Sequence, residues 1–104
     1  MNWENKEKIK LINAILAIET VDEARRFLRD LMTESEIQEF SKRLQTAELL
    51  SNNIPYSTIE EKTGLSSTTI ARVSKWLNGR QGGYKNIINK LHHHSSAQTR
   101  RGLS

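Results

Sequence analysis

The chain has no cysteine, which excludes both a disulfide framework and a thiolate metal site and fits a reducing compartment. Proline occurs once, at Pro55, and glycine five times, so strong backbone punctuation is confined to a few places. No apolar run approaches the roughly 20 residues that cross a bilayer, no alternating pattern marks a strand, and no segment repeats. The opening MNWENKEKIK mixes charges in a way that a secretory signal does not. A soluble cytoplasmic protein with no membrane partner is therefore expected. The most telling deficit is in acid: no Asp or Glu follows Glu61. Residues 1–52 hold eight Lys/Arg against ten Asp/Glu, net −2, whereas residues 53–104 hold eight against two, net +6. The second half thus offers phosphates an uninterrupted positive field.

Enzymatic readings are poorly supported. There is no Gly-rich phosphate loop, and the carboxylates lie mostly at helix starts and on polar faces, where they complement the helix dipole. His92, His93 and His94 are the only histidines, and adjacent side chains in a polar segment cannot all converge on one ion without an ordered scaffold. No catalytic residue, cofactor or metal site is expected.

What the chain does have is helical period almost throughout. Trp3, Ile9, Ile12, Ile15 and Leu16, joined by Leu11 and Ile18, make a wide apolar stripe over about Glu4 to Ile18. A stripe that wide calls for more than one neighbour, and a chain of 104 residues built of thin helices gains from oligomerisation. Thr20 with Glu23 has the spacing of a capping box and opens a second helix with Ala24, Phe27, Leu28 and Leu31 on one face. Thr33 with Glu36 opens a third, whose Ile37, Phe40, Leu44, Ala47 and Leu50 keep the spacing to about Ser51. A third box, Ser57 with Glu60, starts a short helix of about Ser57 to Thr63 behind Pro55. Ser66 or Ser67 caps the next helix, and Asn78 with Gly79 closes it. Tyr84, Ile87, Ile88 and Leu91 mark a last helix from about Gly83. From His92 onward the sequence has neither period nor much apolar content, so residues 1–91 are expected to form one domain and residues 92–104 a disordered basic tail. The architecture expected is all-α with six helices.

Residues 56–77, YSTIEEKTGLSSTTIARVSKWL, meet the physical demands of a helix-turn-helix. Ile59 and Thr63 sit at inward spacing on the first helix, and Gly64 supplies the turn, where glycine takes positive φ without a Cβ penalty. Leu65 would fill the space between the helices, while Ile70, Val73 and either Trp76 or Leu77 seat the second helix on the core. Its free face carries Ser67, Thr68, Ala71, Arg72 and Lys75, small, polar or cationic as a major groove requires. Glu60 stands where such motifs often have a small residue for close packing. The expected DNA-binding set is Lys62, Ser66, Ser67, Thr68, Thr69, Ala71, Arg72, Lys75 and Arg80, with a recognition helix of about residues 67–78. Amides and hydroxyls at its start would hold phosphates or base edges, directly or through water.

From Thr33 to Leu77, TESEIQEFSKRLQTAELLSNNIPYSTIEEKTGLSSTTIARVSKWL, the chain resembles the Trp repressor family. The small Trp-repressor-related proteins of the YerC/YecD type, found in Gram-positive bacteria, are the nearest group. The likeness extends more weakly over residues 4–91, and EIQEFSKRL and TGLSSTTIARVSKWLN are its most specific parts. The resemblance implies an intertwined homodimer whose N-terminal helices share one core, with two reading heads on double-stranded DNA, acting in transcription regulation as a nucleoid-associated repressor.

It also implies a candidate effector pocket at Thr33, Arg43, Arg72, Val73 and Trp76. Thr33, Arg43 and Arg72 match family positions around the tryptophan corepressor. Val73 and Trp76 stand where the repressor has a glycine that admits the indole and a serine near the amino group. Filling a close-packed wall with a branched side chain costs about 1–3 kcal/mol, so free L-tryptophan is not expected to be the effector, and an unknown small molecule is left as the alternative. The competing reading is a DNA-targeting adaptor or a recombinase-type DNA-binding module carrying the same motif.

Overall fold

The computed structural model describes the backbone of residues 1–103 and the side chains of residues 1–93. It contains six helices and, among the described residues, no strand: α1 (Lys6–Leu16), α2 (Val21–Leu31), α3 (Glu34–Ser51), α4 (Tyr56–Thr63), α5 (Ser67–Leu77) and α6 (Gly83–Leu103). The all-α expectation holds element by element. The chain divides into two compact units, Met1–Ile37 and Gln38–Ser104, with the division inside α3.

In the first unit each helix start is set by a side-chain oxygen. The amide oxygen of Asn5 accepts the N–H groups of Glu7 and Lys8 at 2.9 and 3.3 Å, so α1 begins two residues later than its apolar pattern alone indicates. Thr20 accepts the N–H of Glu23 at 3.1 Å, but Glu23 does not complete the reciprocal box; the Thr20 hydroxyl donates to its carboxylate at 3.4 Å instead. Thr33 and Glu36 do form the full box. The Thr33 N–H donates to Glu36 Oε1 at 2.9 Å and the Glu36 N–H donates to Thr33 Oγ1 at 3.1 Å, satisfying two amides that the helix itself leaves free.

The same contacts hold the Glu36 carboxyl below its ordinary value of 4.5: the Thr33 amide first, then the Thr33 hydroxyl, stabilise the charged form, while desolvation opposes them. A depressed carboxyl contributes stability that is complete above the ordinary value and is lost as pH falls through the lower folded value. Glu36→Gln is therefore expected to remove part of the acid-side fall in stability. Denaturant unfolding at neutral pH and at about pH 3 checks this, and an identical acid-side fall in both proteins would refute it.

No residue of α1 or α2 is buried. The stripe is where its spacing placed it, yet Ile9, Ile12, Ile15 and Leu16 are all exposed, Leu16 by 75%. Chains of this kind usually leave apolar residues scattered on their surface, not aligned along one face of a helix.

The second unit has a real core. Ala47 from α3, Val73 and Leu77 from α5 and Ile88 from α6 are buried together, with Leu44, Leu50 and Tyr84 packed against them. Ile59 and Ile70 are fully buried. Two buried hydroxyls accompany them, each bonded to the preceding turn: Thr46 donates to the Lys42 carbonyl at 2.8 Å and Thr63 to the Ile59 carbonyl at 2.7 Å. Without those bonds, burying a hydroxyl would be unfavourable.

Two further sequence expectations need correction. The Ser57–Glu60 capping box does not form, because Pro55 enters the helix directly at φ −62 and ψ 150 as an N-cap without a side-chain bond. Ser57 is then already inside the first turn, where its hydroxyl is not at the cap. At the other end, residue 92 is not a helix boundary: α6 runs to Leu103. Weak hydrophobicity removed the periodic signal there, but nothing stops a helix between His92 and Arg101, a stretch without proline or glycine. The side chains of residues 94–104, the greater part of the expected tail, lie outside the described residues.

Candidate nucleic-acid interface

The turn between α4 and α5 is closed by Gly64, whose φ of 73 is left-handed and whose N–H donates to the Glu60 carbonyl at 2.8 Å. A Cβ there would meet nothing within 4 Å, so the requirement for glycine is conformational, not steric. The buried Thr63 hydroxyl also accepts the Leu65 N–H at 3.2 Å, pinning the turn from the other side. Leu65 itself is half-buried. Glu60 is exposed, so its length does not strain the packing of α4, whose inward residues are Ile59 and Thr63.

Ser66 is the N-cap of α5. Its Oγ accepts the Thr69 N–H at 3.2 Å, and the two hydroxyls lie 3.1 Å apart. Ser66 and Thr69 are thereby tied to one another, and Thr69 is half-buried. Ser67 and Thr68 remain exposed, next to the positive end of an eleven-residue helix.

Along α5 the two faces separate cleanly. Ile70, Val73 and Leu77 are buried, and they recur at three- and four-residue steps, so the opposite side must face out. Thr68, Ala71, Arg72 and Lys75 are exposed there. Between the two sequence candidates for the last core position, the structure selects Leu77, 5% exposed, over Trp76, 54% exposed. Lys62 and Arg80 are exposed at the flanks. The ion pairs among the described residues are Asp22 with Arg25 and Arg26, and Glu39 with Arg43; none involves Lys62, Arg72, Lys75 or Arg80. Four unneutralised cations beside a short-side-chain helix face can bind phosphate and reach base edges.

The five residues expected at an effector pocket have different local surroundings. Thr33 belongs to the first unit and is occupied as the α3 cap. Within the second unit, Arg43 is half-buried and lies 5.5 Å from the Phe40 ring centroid, with its terminal nitrogen 3.4 Å from Glu39. Its Nε is buried without a hydrogen-bond partner. Arg72 points away from the core, while Val73, 2% exposed, is part of it. Trp76 instead lines an apolar cavity of about 420 Å³ with Leu44, Gln81, Gly83, Tyr84 and Ile87. The cavity residues of the α5–α6 turn and α6 were not singled out by sequence as a site. The available signal was the ambiguity between Trp76 and Leu77, which required one of two large apolar residues to face outward.

The chain matches the family model described as Trp repressor protein over residues 6–92. It is 37% identical over 86 residues to the uncharacterized protein YerC of Bacillus subtilis (strain 168), a match that spans 83% of each chain. Two crystal structures align with it at a TM-score of 0.81. One is of a TrpR-like protein from Eubacterium eligens ATCC 27750, 36% identical, covering 86% of this chain and 93% of the other. The second is of a candidate Trp repressor from Staphylococcus aureus, 35% identical, covering 88% and 95%.

Proposed function

The chain belongs to the Trp repressor family, a family of DNA-binding regulators, and from that premise we propose that it is a sequence-specific transcriptional regulator whose α5 enters the major groove. One observation carries the proposal: α5 seals Ile70, Val73 and Leu77 into the core and leaves Thr68, Ala71, Arg72 and Lys75 exposed. Arg72 and Lys75 are long enough to reach guanine edges or phosphates. Ser67 and Thr68 sit at the positive end of the helix and are suited to a phosphate or a water-bridged base. Lys62 and Arg80 set the head against the backbone. Ser66 and Thr69 act by holding the helix start, with their backbone amides nearest the phosphates.

The working form in this proposal is a homodimer. Support comes from α1, an eleven-residue helix with an apolar stripe and no buried residue. Two heads about 34 Å apart would read a near-palindrome with half-sites one turn apart. Binding then places the protein on the nucleoid in the cytoplasm.

The test is genome-wide capture of bound DNA by the purified protein, repeated with Arg72→Ala. Enrichment of a near-palindromic site that disappears in the variant is expected. Retention of DNA without any shared motif would defeat the sequence-specific reading and favour an adaptor role.

L-tryptophan is not the effector in this proposal. Val73 is packed into the core, so a branched side chain stands where the family's repressor has the glycine that admits the indole. Calorimetric titration with free L-tryptophan is expected to give no heat of binding at micromolar ligand. Micromolar affinity would show that the wall yields. An effector, if one acts, must be a different small molecule.

A further inference from the structure

The face of α6 turned away from the core has an unusual composition. Ile88 is buried and Tyr84 half-buried, which fixes the inward side. Lys85, Asn86, Asn89, Lys90, His92 and His93 are all exposed, and at about 100° per residue they fall within one arc of about 160°. Every one of these side chains can donate a hydrogen bond. None is acidic, and neither lysine has an ion pair among the described residues.

The ordinary reading of such a row is a solvated helix face. The same chain shows how its other polar faces are built: Asp22 pairs with Arg25 and Arg26 at 3.0 Å each on α2, and Glu39 pairs with Arg43 on α3. Pairs at this spacing stabilise a helix by about 0.2–0.5 kcal/mol each, and α6 forgoes all of them although it is the longest helix, with 21 residues. A face on which every polar side chain can donate and none is acidic suits a polyanion surface. Like α5, it belongs to the stretch after Glu61 in which no acidic residue occurs.

We propose that the exposed face of α6 is a second, sequence-independent contact to the DNA backbone, in which Lys85 and Lys90 neutralise phosphates and Asn86 and Asn89 donate to phosphate oxygens. It lies outside the reading head and adds affinity and register without selecting sequence. This inference rests on the proposed DNA-binding function.

The experiment is a salt series of fluorescence anisotropy on a duplex of random sequence, using the full chain and Lys85→Gln/Lys90→Gln. Each phosphate contact contributes roughly 0.9 to the log–log salt slope, so the double variant should bind more weakly with a slope shallower by about 1.8. Arg25→Gln/Arg26→Gln removes the same charge from α2 and should leave the slope unchanged, because those arginines are already paired. Circular dichroism verifies that both variants are folded.

An unchanged slope in the α6 variant, with wild-type protein still binding in a salt-dependent manner, would overturn the inference and leave the head intact. Equal losses in both variants would also overturn it, by showing net charge alone at work. Salt-independent or absent binding by wild-type protein would remove the DNA-binding reading itself, and Arg72→Ala in the same series reports on the head separately.

Discussion

Ile70→Ala is expected to destabilise the second unit by about 2–5 kcal/mol. Ile70 is fully buried on the inward face of α5. Truncation loses the transfer free energy of the deleted carbons and leaves a cavity, because a close-packed neighbourhood relaxes only in part. A total stability of about 5–15 kcal/mol is usual for a domain, so the change is a large fraction of what holds α5 in place. Ile70→Val should cost only about 0.5–1.5 kcal/mol. Ala71→Ser, one residue along and exposed, should stay within about 0.5 kcal/mol. Urea unfolding followed by circular dichroism, at one fixed protein concentration, measures all three. A loss below about 1 kcal/mol for Ile70→Ala would mean that α5 is not seated as described.

Arg72→Ala tests the opposite face and should separate binding from folding. Arg72 is exposed and makes no ion pair among the described residues, so its removal should change stability by no more than about 0.5 kcal/mol. On DNA the expectation is different. If the guanidinium is bidentate to a guanine edge, the loss is about 1–3 kcal/mol, confined to sequences carrying that base. At 1.4 kcal/mol per decade, that is roughly five- to 150-fold in affinity. A phosphate contact instead weakens binding to all sequences alike and lowers the salt slope by about one. Anisotropy titrations on a captured site and on a scrambled control distinguish these outcomes. Equal affinity of variant and wild type on both would remove Arg72 from the interface.

Much of this was legible in the residues. Capping oxygens are local signals, and Thr33 with Glu36 specified its box because the two bonds involve only residues three apart. Gly64 was legible for a similar reason: a tight turn between two periodic helices demands positive φ. The α5 pattern settled its own two faces, since Ile70 and Val73 recur at helical spacing. Ser57 with Glu60 failed because a local motif competes with its neighbours, and the fixed φ of Pro55 started α4 one residue earlier. The end of α6 was missed for the converse reason. Hydrophobic period detects helices that pack, and a polar helix has none to detect.

By itself the sequence determined the six helices, the turn at Gly64, the outward set Thr68, Ala71, Arg72 and Lys75, and the acid-free second half. Each of these depends on intrinsic propensity, spacing or charge, which need no distant partner. Only the tertiary structure decided that Leu77 and not Trp76 closes the core and that the neighbours of Val73 there are Ala47 and Ile88. Those outcomes depend on which side chains meet across elements far apart in sequence. Two apolar residues with equal claims to one position are separated only by the space that the other helices leave.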